Sequence, residues 1–230
     1  MKIAIFGTGG VGGYFGARLA QAGQEVIFIA RGEHLRAIRG KGLRLESILG
    51  DFTVHPARAT DDPSQIGTVD LVILGVKAWQ VPEAAGIVKP LLGAQTVVLP
   101  LQNGVDAPSQ LVEALGHEHV LGGLCRISVL LAAPGVIRHV AIPPVIAFGE
   151  LDARPSARVE SLRQVFNIRQ SVEPASVQTN PLVHGAPPAA AGPLKGKQFD
   201  LYAMRSEYWR AMKWDPQTGY PLEVEEVVSK

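Results

Sequence analysis

The first 31 residues leave this chain few ways to fold. A short apolar run, Ile3-Ala4-Ile5-Phe6, leads directly into Gly7-Thr8-Gly9-Gly10-Val11-Gly12. Small residues at helical spacing follow, and a second apolar run, Val26-Ile27-Phe28-Ile29, ends at Ala30-Arg31. Strand, glycine turn, helix and strand, in this order, make the βαβ unit that binds dinucleotides. Gly7 permits the tight turn, Gly9 lets the backbone approach a pyrophosphate, and Gly12 lets the helix pack close to the sheet. The N–H groups of Gly10, Val11 and Gly12, at the positive end of the helix dipole, then face the phosphates. Such glycines also serve a tight βα turn with no ligand, so the motif takes its weight from its place between two apolar strands.

The residue that closes the second strand bears on the choice of cofactor. NAD-specific sites place Asp or Glu there to accept hydrogen bonds from the ribose 2′-OH. This chain has Arg31, followed by Gly32. A guanidinium is always charged and meets a phosphate with two parallel N–H bonds. The expectation is therefore NADP(H) over NAD(H). The plainer alternative is an arginine that merely solvates a loop.

Composition excludes several other classes. The 230 residues, 47% of them hydrophobic and 19% charged, suffice for one full domain with a real core and something smaller beside it. A net charge of +1 without any run of Lys or Arg argues against nucleic acid as a partner. The single cysteine, Cys125, cannot form an internal disulfide and fits a reducing cytoplasm. Its apolar neighbours mark it as a small buried hydrophobe rather than a nucleophile. No apolar stretch reaches the ~20 residues of a membrane span. The N-terminus shows no basic n-region or cleavage site, so a soluble cytoplasmic protein is expected.

Beyond Arg31 the pattern predicts a helix through Leu35 and Ile38, closed by Gly40 and Gly42, and a small hairpin of Leu43–Leu45 with Phe52–Val54. Leu71-Val72-Ile73-Leu74-Gly75-Val76 reads as a parallel strand covered on both faces. A helix over 81–92, a buried strand over 96–99, a helix over 107–115 and a strand over 119–121 complete a βα alternation. That alternation predicts an α/β, Rossmann-like, doubly wound and mainly parallel sheet. From Gly122 the character changes to closely spaced β runs at 126–131, 135–141 and 145–149. They leave no room for crossover helices and predict an antiparallel extension. A helix is expected over 156–166 and a last strand over 171–177, which closes a cofactor domain at 1–178. Asn180–Gly196, rich in Pro, Gly and Ala, reads as a linker within 179–198. Leu201, Met204, Tyr208 and Met212 fall at helical spacing, so 199–230 reads as a short tail with one helix.

With these residues in view, the chain resembles the ketopantoate reductase (2-dehydropantoate 2-reductase) family. The likeness is carried by Gly7-Thr8-Gly9-Gly10-Val11-Gly12, Arg31, Val76-Lys77-Ala78-Trp79-Gln80, Leu101-Gln102-Asn103-Gly104-Val105 and Ala133-Pro134-Gly135-Val136-Ile137-Arg138-His139. Lys77 and Asn103 each follow a buried strand, at the carboxyl edge where open α/β sheets bind ligands. The resemblance implies that Lys77 contacts NADP(H), with Gln80 near the adenosine end beside Arg31. It also implies that Asn103, whose amide can donate and accept, touches both nicotinamide and substrate. The reaction so implied passes hydride from NADPH to ketopantoate, a small 2-oxo acid, giving pantoate for pantothenate and coenzyme A synthesis. Read without the resemblance, Lys77 is equally a surface lysine and Asn103 a turn residue before Gly104.

The resemblance stops after Val177. Its members continue into a helical domain that carries a lysine acid within Trp-x-Lys-x-x-x-Asn and a substrate-anchoring glutamate. Here the Pro/Gly/Ala segment stands instead, and Lys195, Lys197 and Lys213 match no motif position. The last ~25 residues, with Tyr208-Trp209, Trp214-Asp215, Gly219 and Pro221, look weakly like the C-terminus of tungsten-containing aldehyde ferredoxin oxidoreductases. One cysteine cannot ligate an iron–sulfur cluster. A fusion, frameshift or truncation would account for both halves. Two other functions stay open at this point. One is a non-catalytic NADP(H)-binding module whose uncovered apolar surface docks a second copy or a partner chain. The other is a reductase of a different 2-oxo acid.

Overall fold

An unbroken apolar run makes a strand only if both of its faces are covered, and the opening residues meet that condition. In the computed structural model, which describes residues 1–166, β1 (Lys2–Phe6) is central to its sheet and fully buried from Ile3 to Ile5. The glycine turn leads into α1 (Gly10–Gln21), and β2 (Glu25–Ile29) returns parallel to β1 with Ile5 opposite Phe28. Then come α2 (Gly32–Lys41), β3 (Leu43–Ser47), β4 (Phe52–Val54) and β5 (Arg58–Thr60). The chain crosses back to β6 (Val69–Leu74), α3 (Val81–Val88), β7 (Leu92–Pro100) and α4 (Ala107–Leu115). It ends its described course in β8 (Gly122–Ala133), β9 (Val136–Gly149) and α5 (Ala157–Phe166).

Five strands form a wholly parallel sheet in the order β5-β2-β1-β6-β7. The chain starts in the middle, winds outward through β2 to β5, and then winds the other way through β6 and β7. The reversal lies between β1 and β6. Alternate residues divide the core accordingly. Ile3, Ile5, Leu71 and Ile73 pack with Tyr14, Phe28, Leu35 and Ile38 on one face. Ala4, Phe6, Val72 and Leu74 pack with Val81, Val88, Leu111 and Val120 on the other. This is the doubly wound α/β sheet that the alternation predicts.

The second sheet runs β4-β3-β9-β8. The predicted hairpin of β3 with β4 is present, with Leu43 opposite Val54, and β8 pairs antiparallel with β9. β3, however, pairs parallel with β9, Leu45 opposite Ile137. The extension is therefore mixed rather than purely antiparallel. Its apolar face lies on α1, which is held between the two sheets. Glycines make both approaches possible: a Cβ at Gly16 would stand 2.7 Å from the Ile5 side chain of the parallel sheet. One at Gly13 would stand 2.7 Å from Ile137 of β9.

Several expected boundaries are corrected. The strand expected over 119–121 is absent: a 3₁₀ turn occupies His117–His119, and only a single bridge joins Val120 to Val98. Gly116 (φ 93°) breaks the chain away from α4, which leaves only two residues, Val120 and Leu121, between that turn and β8. The helix expected over 81–92 ends at Val88, where Pro90 enters a 3₁₀ turn, and β7 starts at Leu92. The runs 135–141 and 145–149 are one strand with a bulge, since Arg126 faces Val145 while Ser128 faces Ala141. Pro143 and Pro144 cannot donate to the ladder, and Ile142 in the bulge adopts φ 65°. The buried His139 donates from Nε2 to the Ile142 carbonyl (2.9 Å) and accepts at Nδ1 from Ser47 Oγ (2.9 Å). The short strand β5 carries no alternation of its own and was not expected. The strand over 171–177, the linker and the tail helix lie outside the described residues. Among the described residues no helix is long and apolar enough to cross a membrane.

α5 is anchored by one ion pair. Arg158 donates from Nε to Glu150 Oε1 (2.6 Å) and from Nη2 to Oε2, and it also reaches the Glu118 carbonyl. Arg158 holds the Glu150 carboxyl below the usual carboxylate range, against the opposing effect of burial. A carboxylate whose pKa is depressed by folding stabilises the fold above its unfolded pKa and loses that contribution as acid protonates it. Glu150→Gln is therefore expected to cost roughly 1–3 kcal/mol at neutral pH. Thermal unfolding of the variant should also be flatter than that of the parent between neutral pH and pH ~4.

Candidate functional site

In an open α/β sheet the ligand crevice lies outside the carboxyl ends of the strands, at the point where the winding reverses. Here that point is the gap between β1 and β6. Gly7 leaves β1 with φ 93°, and a Cβ on it would stand 2.8 Å from the Val76 amide nitrogen. Gly12 sits so close beneath the turn that a Cβ would lie 2.3 Å from the Gly7 carbonyl oxygen. Above Gly9, by contrast, there is open space, with no atom within 4 Å of an added Cβ. Gly9 is also the N-cap of α1 and offers no side chain to the first-turn amides. The turn thus presents bare N–H groups of Gly10, Val11 and Gly12 beneath an open approach.

Thr8 turns its side chain inward. Its Oγ1 donates to the Ile29 carbonyl at the end of β2 (2.9 Å), and its own N–H donates to the same oxygen (3.2 Å). The hydroxyl ties the turn to β2, and only the backbone of Thr8 is left to meet a ligand.

A cavity of about 350 Å³ opens over this turn. Gly7, Thr8, Gly9, Arg31, Lys77 and Gln80 all line it. Six sequence-derived candidates from three separate segments therefore converge on one space. Arg31 follows β2 at the N-cap of α2. Lys77 and Gln80 follow β6 in a 3₁₀ turn, where the Gln80 Oε1 accepts from the Lys77 N–H (3.1 Å) and holds the segment in shape. Gly10, Val11 and Gly12, in the first turn of α1, follow the three glycine-turn residues that line the cavity and do not line it themselves. Asn103 does not line the cavity. It stands exposed after β7, at the same carboxyl edge, next to Gln102, whose Nε2 donates to the Leu74 carbonyl of β6 (2.7 Å).

Among the lining residues that sequence reasoning missed are His34, Asp61, Glu83 and Leu131. His34 is three residues beyond Arg31 in the first turn of α2, and that offset is the signal that could have found it. Asp61 follows β5, whose presence was not expected, and its carboxylate lies 3.7 Å from Arg39. Leu131 comes from the second sheet, which no local pattern places over the glycine turn. Cys125 lies apart from the cavity, half-buried, its thiol pushed up by burial and its Sγ 3.6 Å from the Leu101 carbonyl. It is less buried than the sequence reading expects.

Two cationic side chains lining one opening, next to the free first-turn N–H groups of α1, suit a ligand with several phosphates. The glycine turn under β1 suits a dinucleotide. Among known proteins, the 2-dehydropantoate 2-reductase of Mesorhizobium japonicum is 35% identical over 185 residues, which cover 71% of this chain and 56% of that protein. The crystal structure of 2-dehydropantoate 2-reductase from Porphyromonas gingivalis superposes with a TM-score of 0.69 at 35% identity, over 73% of this chain and 61% of that one. A ternary structure of D-mandelate dehydrogenase with NADH and anilino(oxo)acetate matches at a TM-score of 0.66 and 26% identity, over 73% of this chain and 54% of that one. The chain spans about half the length of the curated relatives it matches. Residues 3–153 match the family model described as ketopantoate reductase PanE/ApbA, and on that match, the fold and these relatives, the chain belongs to the ketopantoate reductase family.

Proposed function

We propose that this chain carries the NADPH-binding half of a 2-oxo acid reductase, with ketopantoate as substrate and pantoate as product. The observation that carries the reading is the convergence of the glycine turn, Arg31, Lys77 and Gln80 on one cavity at the winding reversal. In this reading the first-turn amides of α1 hold the pyrophosphate, and Arg31 with Gln80 holds the 2′-phosphate and the adenosine end. Lys77 adds a second positive charge along the cofactor. NADPH, when bound, supplies the hydride. Asn103 then orients the nicotinamide amide and the substrate carbonyl from the neighbouring strand end, using an amide that donates and accepts at once. Carbonyl reduction further needs a proton donor for the developing alkoxide. No residue of the described part takes that role in this reading. Lys195, Lys197 and Lys213 lie outside the described residues. Cytoplasmic location and a place in pantothenate synthesis belong to the same proposal, as does a cofactor domain bounded at about residue 178.

Ketopantoate-dependent NADPH oxidation by the purified chain, followed by absorbance, tests the reading. Turnover is the expected result if the chain supplies its own acid, and mutation of Lys195, Lys197 and Lys213 would then identify it. NADPH binding without turnover leaves a cofactor-binding module that needs a partner for chemistry, at a cost of the 10²–10⁴-fold typical of a missing general acid. Turnover of an aromatic 2-oxo acid but not of ketopantoate would move the substrate toward that of D-mandelate dehydrogenase. Failure to bind either NADPH or NADH would overturn the reading altogether.

A further inference from the structure

His34 joins three parts of the molecule that are far apart in sequence. Its Nε2 lies 2.7 Å from the carbonyl oxygen of Thr8 in the glycine turn. Its Nδ1 lies 2.9 Å from the backbone nitrogen of Gly135, in the turn between β8 and β9. A carbonyl oxygen only accepts and an amide N–H only donates, so the two contacts fix the ring completely. Nε2 must carry the proton and Nδ1 must be bare. The ring is neutral, in one tautomer, with both nitrogens used.

Of the two anchored points, Thr8 lines the cavity, and Gly135 stands outside it at the end of the strand pair that carries Leu131 to its wall. Thr8 belongs to the turn under the proposed pyrophosphate. Gly135 closes the hairpin whose β8 strand reaches over that turn: Leu131 lines the same cavity, and a Cβ on Gly10 would stand 3.0 Å from the Val129 carbonyl. The Gly135 turn is itself seated on α2, since a Cβ there would lie 3.0 Å from the Ala37 Cβ, and its carbonyl accepts from the Arg44 N–H (2.8 Å). His34 is the hydrogen-bonded link between the floor of the cradle and the strand pair at its side.

We infer that His34 is a positioning residue for the cofactor: as the neutral Nε2–H tautomer it locks the glycine turn to the β8–β9 hairpin, and protonation unlocks them. The inference rests on the NADPH-binding reading above. A proton on Nδ1 would set an N–H donor against the Gly135 N–H, which turns an attractive contact into a repulsive one. Acid therefore favours the unlocked arrangement, in which the ring can take its second proton, and weakens a ligand that needs the locked one. Burial already pushes the imidazole below its ordinary pKa, with the bond to the Thr8 carbonyl pulling partly the other way, so the lock is closed at neutral pH. The charged groups that share the cavity are Arg31, Asp61, Lys77 and Glu83. Glu33 and Arg36 of α2 pair with each other at the surface. The glycine turn and Ala133-Pro134-Gly135 contribute no charged side chain.

Two measurements test the inference separately from the reading on which it rests. The ring state is read on the wild-type chain without any ligand, by long-range ¹H–¹⁵N correlation of the imidazole. The expected spectrum at neutral pH is that of a bare Nδ1 and a protonated Nε2. An Nδ1–H tautomer or an imidazolium would overturn the inference. The functional consequence is read by calorimetric titration with NADP⁺, from pH ~8 to pH ~5.5, for wild type, His34→Gln, His34→Asn and His34→Ala. His34→Ala loses both bonds and should bind about 10-fold more weakly at neutral pH. Gln retains a donor within reach of Thr8, Asn retains an acceptor within reach of Gly135, and each should recover part of the loss. The 2′-phosphate titrates in the same range but does so for every variant, so the discriminating quantity is the difference in pH profile. Wild type should lose affinity in acid more steeply than His34→Gln. Parallel profiles, or wild type gaining on His34→Gln in acid as a phosphate-clamping imidazolium would, overturn the inference. A wild-type chain that binds no NADP⁺ at any pH, with the expected ring spectrum, overturns the cofactor reading instead.

Discussion

Gly12→Ala should abolish measurable NADPH binding and lower the melting temperature by roughly 6–12 °C. The added methyl would be placed 2.3 Å from the Gly7 carbonyl oxygen, about an ångström inside ordinary contact. Its obstacle is backbone, which cannot rotate away as the end of a flexible side chain could. Either α1 moves off the sheet or the turn opens. The first exposes Ile5 and Phe28, which are fully buried, and the second rearranges the N–H groups that would meet the phosphates. Overpacking a tight site costs about 1–3 kcal/mol and more where the backbone must shift. At ~3 kcal/mol the expected shift for a chain of this size is the 6–12 °C given. Calorimetric melting with and without NADPH checks both parts. A variant that melts like the parent would show that the helix is free to retreat. Gly9→Ala is the control, since its added methyl meets open space; it should leave the melting temperature nearly unchanged while obstructing the ligand.

Arg31→Ala should weaken NADPH by about 10- to 100-fold and leave NADH nearly untouched. The range is that of a lost charge-assisted, two-bond contact to a phosphate, roughly 1.5–3 kcal/mol. Because only NADPH has the 2′-phosphate, the ratio of the two affinities isolates the contact from any general damage to the site. Arg31→Asp goes further, placing at the end of β2 the carboxylate that hydrogen-bonds a ribose 2′-OH and repels a 2′-phosphate. It should prefer NADH. Equal losses of both cofactors would assign Arg31 to the shape of the α2 N-terminus rather than to phosphate recognition. The Asp61 carboxylate, engaged with Arg39, is a competing influence in the cavity wall. Arg39→Ala on the Arg31→Ala background shows whether a released Asp61 tilts the balance further toward NADH.

The parallel sheet was legible because its signals are local and strong. Four apolar runs, a glycine turn and intervening helical periods fix β1, β2, β6 and β7 without knowledge of anything distant. At the candidate site the glycine turn and Arg31 stood out for the same reason, whereas Lys77 and Gln80 were singled out by the family resemblance, since by local pattern Lys77 is equally a surface lysine. Features that depend on contacts between distant segments were not legible. β5 is three residues long and exists because Ala59 finds Phe28 of β2. The parallel pairing of β3 with β9 joins residues more than 90 apart, and His34 reveals its role only when Gly135 arrives, 101 positions later. The strand expected over 119–121 failed from the opposite cause: its apolar residues are buried as expected, yet the 3₁₀ turn leaves too few of them to extend a ladder.

The position of α1 between two sheets settles where this protein can be divided. A fragment ending at residue 121 would keep every strand of the parallel sheet and the whole glycine turn, so it resembles a self-sufficient nucleotide-binding unit. It would nevertheless leave Tyr14, Leu43 and Leu45, all fully buried, facing solvent where Ile137 and its neighbours had covered them. The second sheet is thus not an appendage that could be exchanged between relatives as a cassette. It is the outer half of the packing around α1, and a change in how β9 lies shifts the helix whose N-terminus follows the glycine turn.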